Sequence, residues 1–457
     1  MNLECFSRFG IRGCWSDQLN EGIVWRIGGA YARKFELQRV VIGRDVRLSS
    51  QVLSDALARG LADAGVDVFD IGHCGFEEVY HATQNQKLDG GIMVSAGHGD
   101  GDESSLKLIG ADARPITALS DINDLRQLVR YGDFSPVALP GRITKTSFRD
   151  RYITDLLALV DPVPLRPLKI IINSMHGCAG PVIDLIAPHL SCEFVKLRHE
   201  PDCLAASAIS HPLGLQNRMS THRAILSHGA DLGILLDGDF DRCFLFDEGG
   251  HFIDSYYTTG LLCEALLQQR PGEKVIHDAC LFWNTVELVK RFGGTPLQGK
   301  LGQAFISEQL RKEDAIYGSD CNGHHYFRAF SGGASGMLAW LLIVSLLGRK
   351  DGPLSQVVEK MKHRYPVSGQ ISHKVDNPAA VIEKIWFTYE ADAVACDFND
   401  GISIDMGLWR FNLRCSRSGE MLRVNVEAHH SRDLLEEKTG ELLRTIKACS
   451  APLVSRV

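Results

Sequence analysis

No two of the thirteen cysteines stand in a Cys-x-x-Cys pair, and their number is odd. In a chain of 457 residues that pattern argues against a disulfide framework and for buried or free thiols in a reducing compartment. Basic excess is missing as well, since 49 Lys and Arg face 56 Asp and Glu for a formal net charge of −7. Nucleic acid is therefore not expected as a partner, and any phosphorylated ligand has to be met by a local cluster of Arg, Lys and backbone N–H groups. The longest mostly apolar run, Met337 to Leu347, is too short to span a bilayer. The opening residues MNLECFSRFG hold no apolar segment of an export signal. A cytoplasmic protein without a membrane anchor is expected; oligomeric state is not legible.

What is present fits a soluble globular chain: 45% of residues are hydrophobic and 23% charged. At roughly 150 residues per domain the length suggests three or four. Three segments share one outline of β-branched strand, polar or Gly-rich loop, helix and second strand. They begin at Val40-Val41-Ile42, Lys169-Ile170-Ile171-Ile172 and Lys274-Val275-Ile276 and reach Val66-Asp67-Val68, Glu193-Phe194-Val195 and Thr295-Pro296-Leu297. That alternation predicts α/β units. After about Ile371 the segments Gly401-Ile402-Ser403-Ile404 and Leu422-Arg423-Val424-Asn425-Val426 alternate ahead of a final helix, the pattern of an α+β module with an antiparallel sheet. Turn-rich stretches at Ser135 to Gly141, Asp247 to Gly250 and Tyr365 to Pro378 mark the boundaries. The expected division is three similar α/β domains with mixed sheets at 1–140, 141–248 and 249–368, then an α+β domain at 369–457.

The sharpest chemical signal is Asp237-Gly238-Asp239-Phe240-Asp241-Arg242, three carboxylates at alternate positions between the apolar runs Leu232 to Leu236 and Cys243 to Phe246. Carboxylates this close repel one another without a cation, and they offer the hard oxygen ligands that Mg²⁺ or Ca²⁺ prefers. An EF-hand is excluded, because its sixth position needs Gly where Arg242 stands and because the flanks read as strands. The plainer alternative is a solvated hairpin turn.

This loop, with Phe9-Gly10-Ile11-Arg12-Gly13, Gly43-Arg44-Asp45-Val46-Arg47-Leu48-Ser49-Ser50, His324-His325-Tyr326-Phe327 and Trp409 to Arg414, resembles the α-D-phosphohexomutase family, and within it the bacterial phosphomannomutases, in order and spacing across essentially the whole chain. The resemblance implies a heart-shaped four-domain architecture around a central cleft. It also implies Mg²⁺ on Asp237, Asp239 and Asp241, with Arg242 facing the substrate. The implied reaction moves a phosphoryl group between O6 and O1 of a hexose, mannose 6-phosphate to mannose 1-phosphate, for activated-mannose (GDP-mannose) and polysaccharide synthesis. A phosphoserine and a bisphosphosugar carry the group, with glucose or mannose 1,6-bisphosphate as activator.

Such enzymes read T-A-S-H-N-P at the nucleophile, with the serine ten residues ahead of a lysine. The matching stretch is Ser95-Ala96-Gly97-His98-Gly99-Asp100, followed by Lys107-Leu108. His98 and Lys107 are retained, but Gly97 stands where the phosphoserine belongs and has no atom to accept a phosphoryl group; a flexible surface turn is the other reading of this stretch. Ser95, Ser104 and Ser105 are the neighbouring hydroxyls, and Ser95 falls roughly 6–7 Å along the strand from the expected acceptor. The family's T-G-H becomes Leu301-Gly302-Gln303, so the amide Gln303 replaces a titrating histidine. Its G-G-E-M-S becomes Gly318-Ser319-Asp320-Cys321-Asn322, leaving Asp320 and Asn322 to contact the sugar. The phosphate loop becomes Arg414-Cys415-Ser416-Arg417-Ser418-Gly419-Glu420, in which Arg414, Ser416, Arg417 and Ser418 offer donors to a phosphate; a charged hairpin turn is the plainer reading. Arg12, Arg242 and His324 are further cleft candidates, although His324 and His325 also read as a half-buried pair. Arg44, Asp45 and Arg47 read as a structural ion-pair turn. Two functions remain open on these grounds: a Mg²⁺-dependent mutase, or an inactive pseudo-mutase that binds a phosphosugar or acts as a regulatory protein.

Overall fold

Val40, Val41 and Ile42 are fully buried at the centre of a sheet, as a strand covered on both faces must be. The computed structural model describes residues 2–7, 10–96, 103–116, 119–160, 166–208, 211–416 and 421–450. Across the first sheet lie Phe6–Ser7, Gly10–Cys14, Glu103–Gly110, Gly90–Ala96, Arg39–Arg44, Asp67–His73 and Ile143–Lys145. The side ending in Ile143–Lys145 is parallel, and the side ending in Phe6–Ser7 is antiparallel. Ile143–Lys145 extends this sheet past residue 140, because Asp67–His73 leaves an open edge and Asp67 Oδ1 accepts the Arg142 N–H at 2.8 Å.

A second mixed sheet runs Phe252–Ile253, Cys243–Phe246, Leu232–Leu236, Lys169–Asn173, Glu193–Leu197. The turn at 247–250 lies inside it as a hairpin, so the third unit starts later, at the helix Ser255–Gln269 capped by Asp254. A third sheet runs Thr295–Gln298, Lys274–His277, Tyr317–Ser319, His325–Phe327, Gly333–Ala334, again mixed. The fourth is wholly antiparallel: Ile371–Lys374, Met421–Ala428, Trp409–Cys415, Ile402–Asp405, Ala395–Asp397. The helices Pro378–Tyr389 and Arg432–Ser450 supply Val381, Ile385, Leu442 and Ile446 to its core. Three α/β units and an antiparallel α+β unit are thus the architecture that the strand patterns imply.

The apolar run Met337 to Leu347 is the interior of the helix Gly336–Gly348, buried on all sides within a core shared by the second and third units. Among the described residues no helix is long and apolar enough to cross a membrane.

Candidate functional site

Leu236 pairs with Cys243, which makes Asp237 to Arg242 the tip of a buried hairpin. The flanking strands are wholly buried, so the tip is carried into the protein rather than out to solvent, against a solvated turn. Three neighbours hold its backbone. Asp239 O accepts the Phe76 N–H at 3.2 Å, Gly238 O accepts Cys178 N–H at 2.9 Å, and Phe240 O accepts Gly336 N–H at 3.1 Å. Phe240 has φ of +43° and is fully buried, its ring packed so closely on Gly75 that a β-carbon there would lie 2.1 Å from it. That contact accounts for a glycine at 75 and locks a backbone conformation L-residues rarely adopt.

Oxygens of Asp237, Asp239 and Asp241 lie within 4.8 Å of one another. Two cations balance them. Lys107, from the strand Glu103–Gly110, reaches Asp239 Oδ2 at 2.7 Å and Asp241 Oδ2 at 2.6 Å; Arg242 Nε donates to Asp237 Oδ2 at 2.6 Å. Burial first, then the neighbouring carboxylates, pushes Asp237 up to about 7 against the pull of Arg242, and Asp239 is raised for the same reasons. The carboxylates hold the Lys107 ammonium charged despite its burial. Three carboxylates whose oxygens converge form an all-oxygen donor set of the kind that fits Mg²⁺.

His324 faces this loop, with Nε2 3.8 Å from Asp241 Oδ1 and Nδ1 3.1 Å from Asp320 Oδ2. Burial alone would lower the His324 pKa, but Asp320 and Asp241 raise it. Burial would raise Asp320, yet the His324 charge and hydrogen bonds from His324, Tyr326 and the Asn322 N–H hold it down to about 2. The two histidines part here, since His325 is fully buried, bonded through Nδ1 to Tyr317 Oη at 2.7 Å, and pushed by burial down to about 3. His325 is a neutral core residue.

A cleft of about 600 Å³ joins all four units. Arg12, Ser105 and Lys107 line it from the first, Asp241 and Arg242 from the second, Gln303, Asn322 and His324 from the third, and Gln370, Arg414, Ser416 and Arg423 from the fourth. Arg12 stands 3.5 Å from Glu103. Gln303 opens the helix Gln303–Glu313 after Gly302 at φ of +115°, and its amide donates to Tyr80 Oη. Arg414 Nη2 donates to Gln370 Oε1 at 2.7 Å, and Ser416 Oγ accepts the Met421 N–H at 3.1 Å. Gly97, His98, Arg417 and Ser418 lie outside the described residues. Ser95, Ser104 and Ser105 are all buried, with Ser104 Oγ donating to Ser49 Oγ at 3.2 Å. Ser105 is the one on the cleft wall, with Oγ 3.2 Å from Ser95 Oγ. Arg44 pairs with Asp70 at 3.7 Å, and Asp45 Oδ1 accepts the Arg47 N–H at 3.1 Å. Gln370, Arg423 and Tyr80 were not marked by sequence. Arg423 sits in an alternating strand that gave a usable signal, whereas a Gly-Gln pair in a linker and a tyrosine inside a helix gave none.

Family models for the phosphoglucomutase/phosphomannomutase α/β/α domains I, II and III match residues 4–133, 150–250 and 254–365. A phosphomannomutase of Salmonella montevideo is 45% identical over 454 residues, 98% of this chain and 100% of that protein. Among solved structures, a phosphoglucomutase/phosphomannomutase family protein from Burkholderia thailandensis superposes with a TM-score of 0.87 at 24% identity, covering 99% of both chains. The N-acetylphosphoglucosamine mutase of Aspergillus fumigatus, solved with GlcNAc-6P and magnesium, shares the fold at a TM-score of 0.63 and 12% identity, over 98% of this chain and 96% of that one. This chain belongs to the phosphoglucomutase/phosphomannomutase family, the α-D-phosphohexomutases.

Proposed function

We propose that the protein is a Mg²⁺-dependent phosphohexose mutase of the phosphomannomutase type, interconverting mannose 6-phosphate and mannose 1-phosphate in the cytoplasm for activated-mannose and polysaccharide synthesis, with glucose or mannose 1,6-bisphosphate as activator. The observation that carries this reading is the single cleft in which the acidic loop, His324 with Asp320, and Arg414 with Ser416 face one another from different units. Mg²⁺ held by Asp237, Asp239 and Asp241 supplies positive charge against phosphoryl oxygens. Lys107 and Arg242 add cationic charge at the reacting end. Asp320, Asn322 and His324 read the sugar hydroxyls. Arg414, Ser416, Arg417 and Ser418 hold the phosphate that does not react, so the substrate is fixed at both ends. Arg12 and His98 serve the phosphoryl-transfer end, while Gln303 orients a hydroxyl without exchanging a proton.

One observation favours a second reading, a phosphosugar-binding pseudo-mutase: Gly97 occupies the acceptor position. Turnover under the first reading requires another oxygen, and of Ser95, Ser104 and Ser105 it is Ser105 that lines the cleft. The deciding experiment follows mannose 1-phosphate turnover with Mg²⁺ and catalytic glucose 1,6-bisphosphate, and maps any phosphoryl group by mass spectrometry. Turnover with a phosphorylated serine supports the mutase. Thermal stabilisation by mannose 6-phosphate but not mannose, lost in Arg414→Ala, with no turnover, leaves the binding protein. Equal shifts for both sugars remove the clamp from either reading.

A further inference from the structure

Three groups that the mutase reading does not use meet behind the cleft wall: Asp278, Cys280 and Cys321. Their closeness follows from the sheet. Lys274–His277 and Tyr317–Ser319 are parallel neighbours with His277 opposite Ser319, so the loops leaving their C-terminal ends lie side by side. Asp278 and Cys280 belong to one loop and Cys321 to the other. One ligand atom from each, two sulfurs and a carboxylate oxygen, all lie within 4.8 Å of one another. The carboxylate is held in place, with Oδ1 accepting the Cys280 N–H and Oδ2 the Cys321 N–H, both at 2.8 Å. Amide oxygens flank the sulfurs: Asn412 Oδ1 is 3.6 Å from Cys280 Sγ, and Gln370 Oε1 is 3.6 Å from Cys321 Sγ. Asp278 and Cys280 are buried, whereas Cys321 is partly exposed and opens a path to the group.

We propose that Asp278, Cys280 and Cys321 form a binding site for a thiophilic divalent cation of the Zn²⁺ class, separate from the all-oxygen loop at Asp237, Asp239 and Asp241. A tetrahedral zinc with Zn–S bonds of ~2.3 Å sets its sulfurs ~3.8 Å apart, compatible with ligand atoms that all lie within 4.8 Å of one another. Soft sulfur ligands select zinc over magnesium, so the two sites differ in the ion each takes. The fourth position is filled by water or by one of the two flanking amide oxygens.

Charge decides whether the neighbouring arginine is an obstacle. Arg414 Nη2 lies 3.2 Å from Cys321 Sγ and would repel a bare cation. Two thiolates and a carboxylate around a divalent ion, however, carry one net negative charge, and the guanidinium then donates an N–H to a thiolate. Outer-shell bonds of that kind orient metal ligands. The hydrogen bond with Cys280, and then burial, keep the Cys321 thiol protonated in the free protein. Binding is therefore an exchange in which two S–H bonds break, two metal–sulfur bonds form and two protons leave to solvent, with no change of oxidation state. The bound ion would tie the sugar-reading loop to the loop after Lys274–His277 and hold Arg414 against Cys321. The site stands whether or not the chain turns over hexose phosphate.

The test uses the full chain, kept reduced by a phosphine and stripped with EDTA, titrated with Co²⁺ as a spectroscopic substitute and then with Zn²⁺. A sulfur-to-cobalt charge-transfer band saturating at one equivalent and erased by Zn²⁺ is expected. The acidic loop has no sulfur, so Asp239→Asn keeps the band, as does Cys449→Ser; Cys280→Ser and Cys321→Ser each lose it. Should either cysteine variant fail to fold, alkylation of the native chain decides, with Cys280 and Cys321 expected to be protected by Zn²⁺. Absence of the band in the native chain, its survival in both cysteine variants, or alkylation of both thiols at unchanged rate with Zn²⁺ would overturn the site.

Discussion

Lys107 Nζ sits 2.6 Å from Asp241 Oδ2, so a strand of the first unit neutralises the acidic loop of the second. Arg242 shares that task through Asp237, and His324 stands 3.8 Å from Asp241. Replacing the ammonium by an apolar chain leaves buried carboxylates uncompensated, a change that costs roughly 3 kcal/mol when a buried pair is broken. Lys107→Met is expected to lower the melting temperature in EDTA and to recover more of it on adding Mg²⁺ than the native chain gains. Differential scanning fluorimetry in the two conditions checks this, and an equal gain for both proteins would separate Lys107 from the cation site.

Gly75 and Phe240 give a second expectation. A β-carbon at 75 meets the Phe240 ring at 2.1 Å, and the ring is fully buried, so something must shift. Gly75→Ala should destabilise by about 1–3 kcal/mol, the usual cost of overpacking, and should weaken Mg²⁺ binding because Phe240 shares the loop with Asp239 and Asp241. Pairing it with Phe240→Leu should return part of the stability in urea unfolding. A Gly75→Ala chain as stable as the native one would falsify the close contact.

Glu77 carries a pH signature. Burial raises its carboxyl from 4.5 to about 8 in the native chain. Between those values the unfolded chain has lost the proton and the native one keeps it, so the group's contribution is fully present below pH 4.5 and is lost as pH rises to about 8. Glu77→Gln retains an acceptor for the Tyr152 hydroxyl and cannot titrate. Relative to native, the variant should gain stability from about pH 5 to about pH 8, by at most roughly 1.4 kcal/mol per unit. Unfolding midpoints at four pH values measure it; parallel curves for the two proteins would remove Glu77 as the source.

Gly97→Ser supplies an acceptor oxygen but not an acid–base group. The variant is expected to take a phosphoryl group from glucose 1,6-bisphosphate slowly at the new serine, without ordinary turnover until Gln303→His is added. Acid–base help is worth ~10²–10⁴-fold, whereas a lost nucleophile costs on the order of 10⁶, so both deficits matter. Peptide mapping after incubation reads the first and a coupled assay the second. If the native chain already turns over at an ordinary rate, Ser105→Ala should abolish it; unchanged activity in that variant would direct attention to Ser95.

The acidic loop was legible because three carboxylates at alternate positions between apolar runs have few other uses. The packing that holds it was not, since Phe240 and Gly75 are far apart in sequence and neither is unusual alone. Ile143–Lys145 escaped notice for a local reason: all three residues are exposed, so burial imposes no alternation on them. The resemblance marked His324 for the cleft while the residues alone also allowed a half-buried pair with His325, and the structure sends His324 to the cleft and His325 into the core. Asp278, Cys280 and Cys321 meet only through the pairing of two parallel strands, which no spacing along the chain reveals.

The largest core runs without a break from Tyr152 and Ile153 through Leu232 to Trp340 and Val344, so the second and third units share one interior. The fourth keeps its own, from Val375 to Ile446. Sheets number four, but cooperative units number fewer: parting the second unit from the third would expose a common face on each, and neither half would hold its shape alone. The first unit too has a core of its own, from Leu3 to Phe134, and the C-terminal unit has an interior complete enough to melt or re-form independently. It carries Arg414 and Ser416, so a hexose phosphate bridging to those residues would couple that unit to the rest and bring the melting steps together.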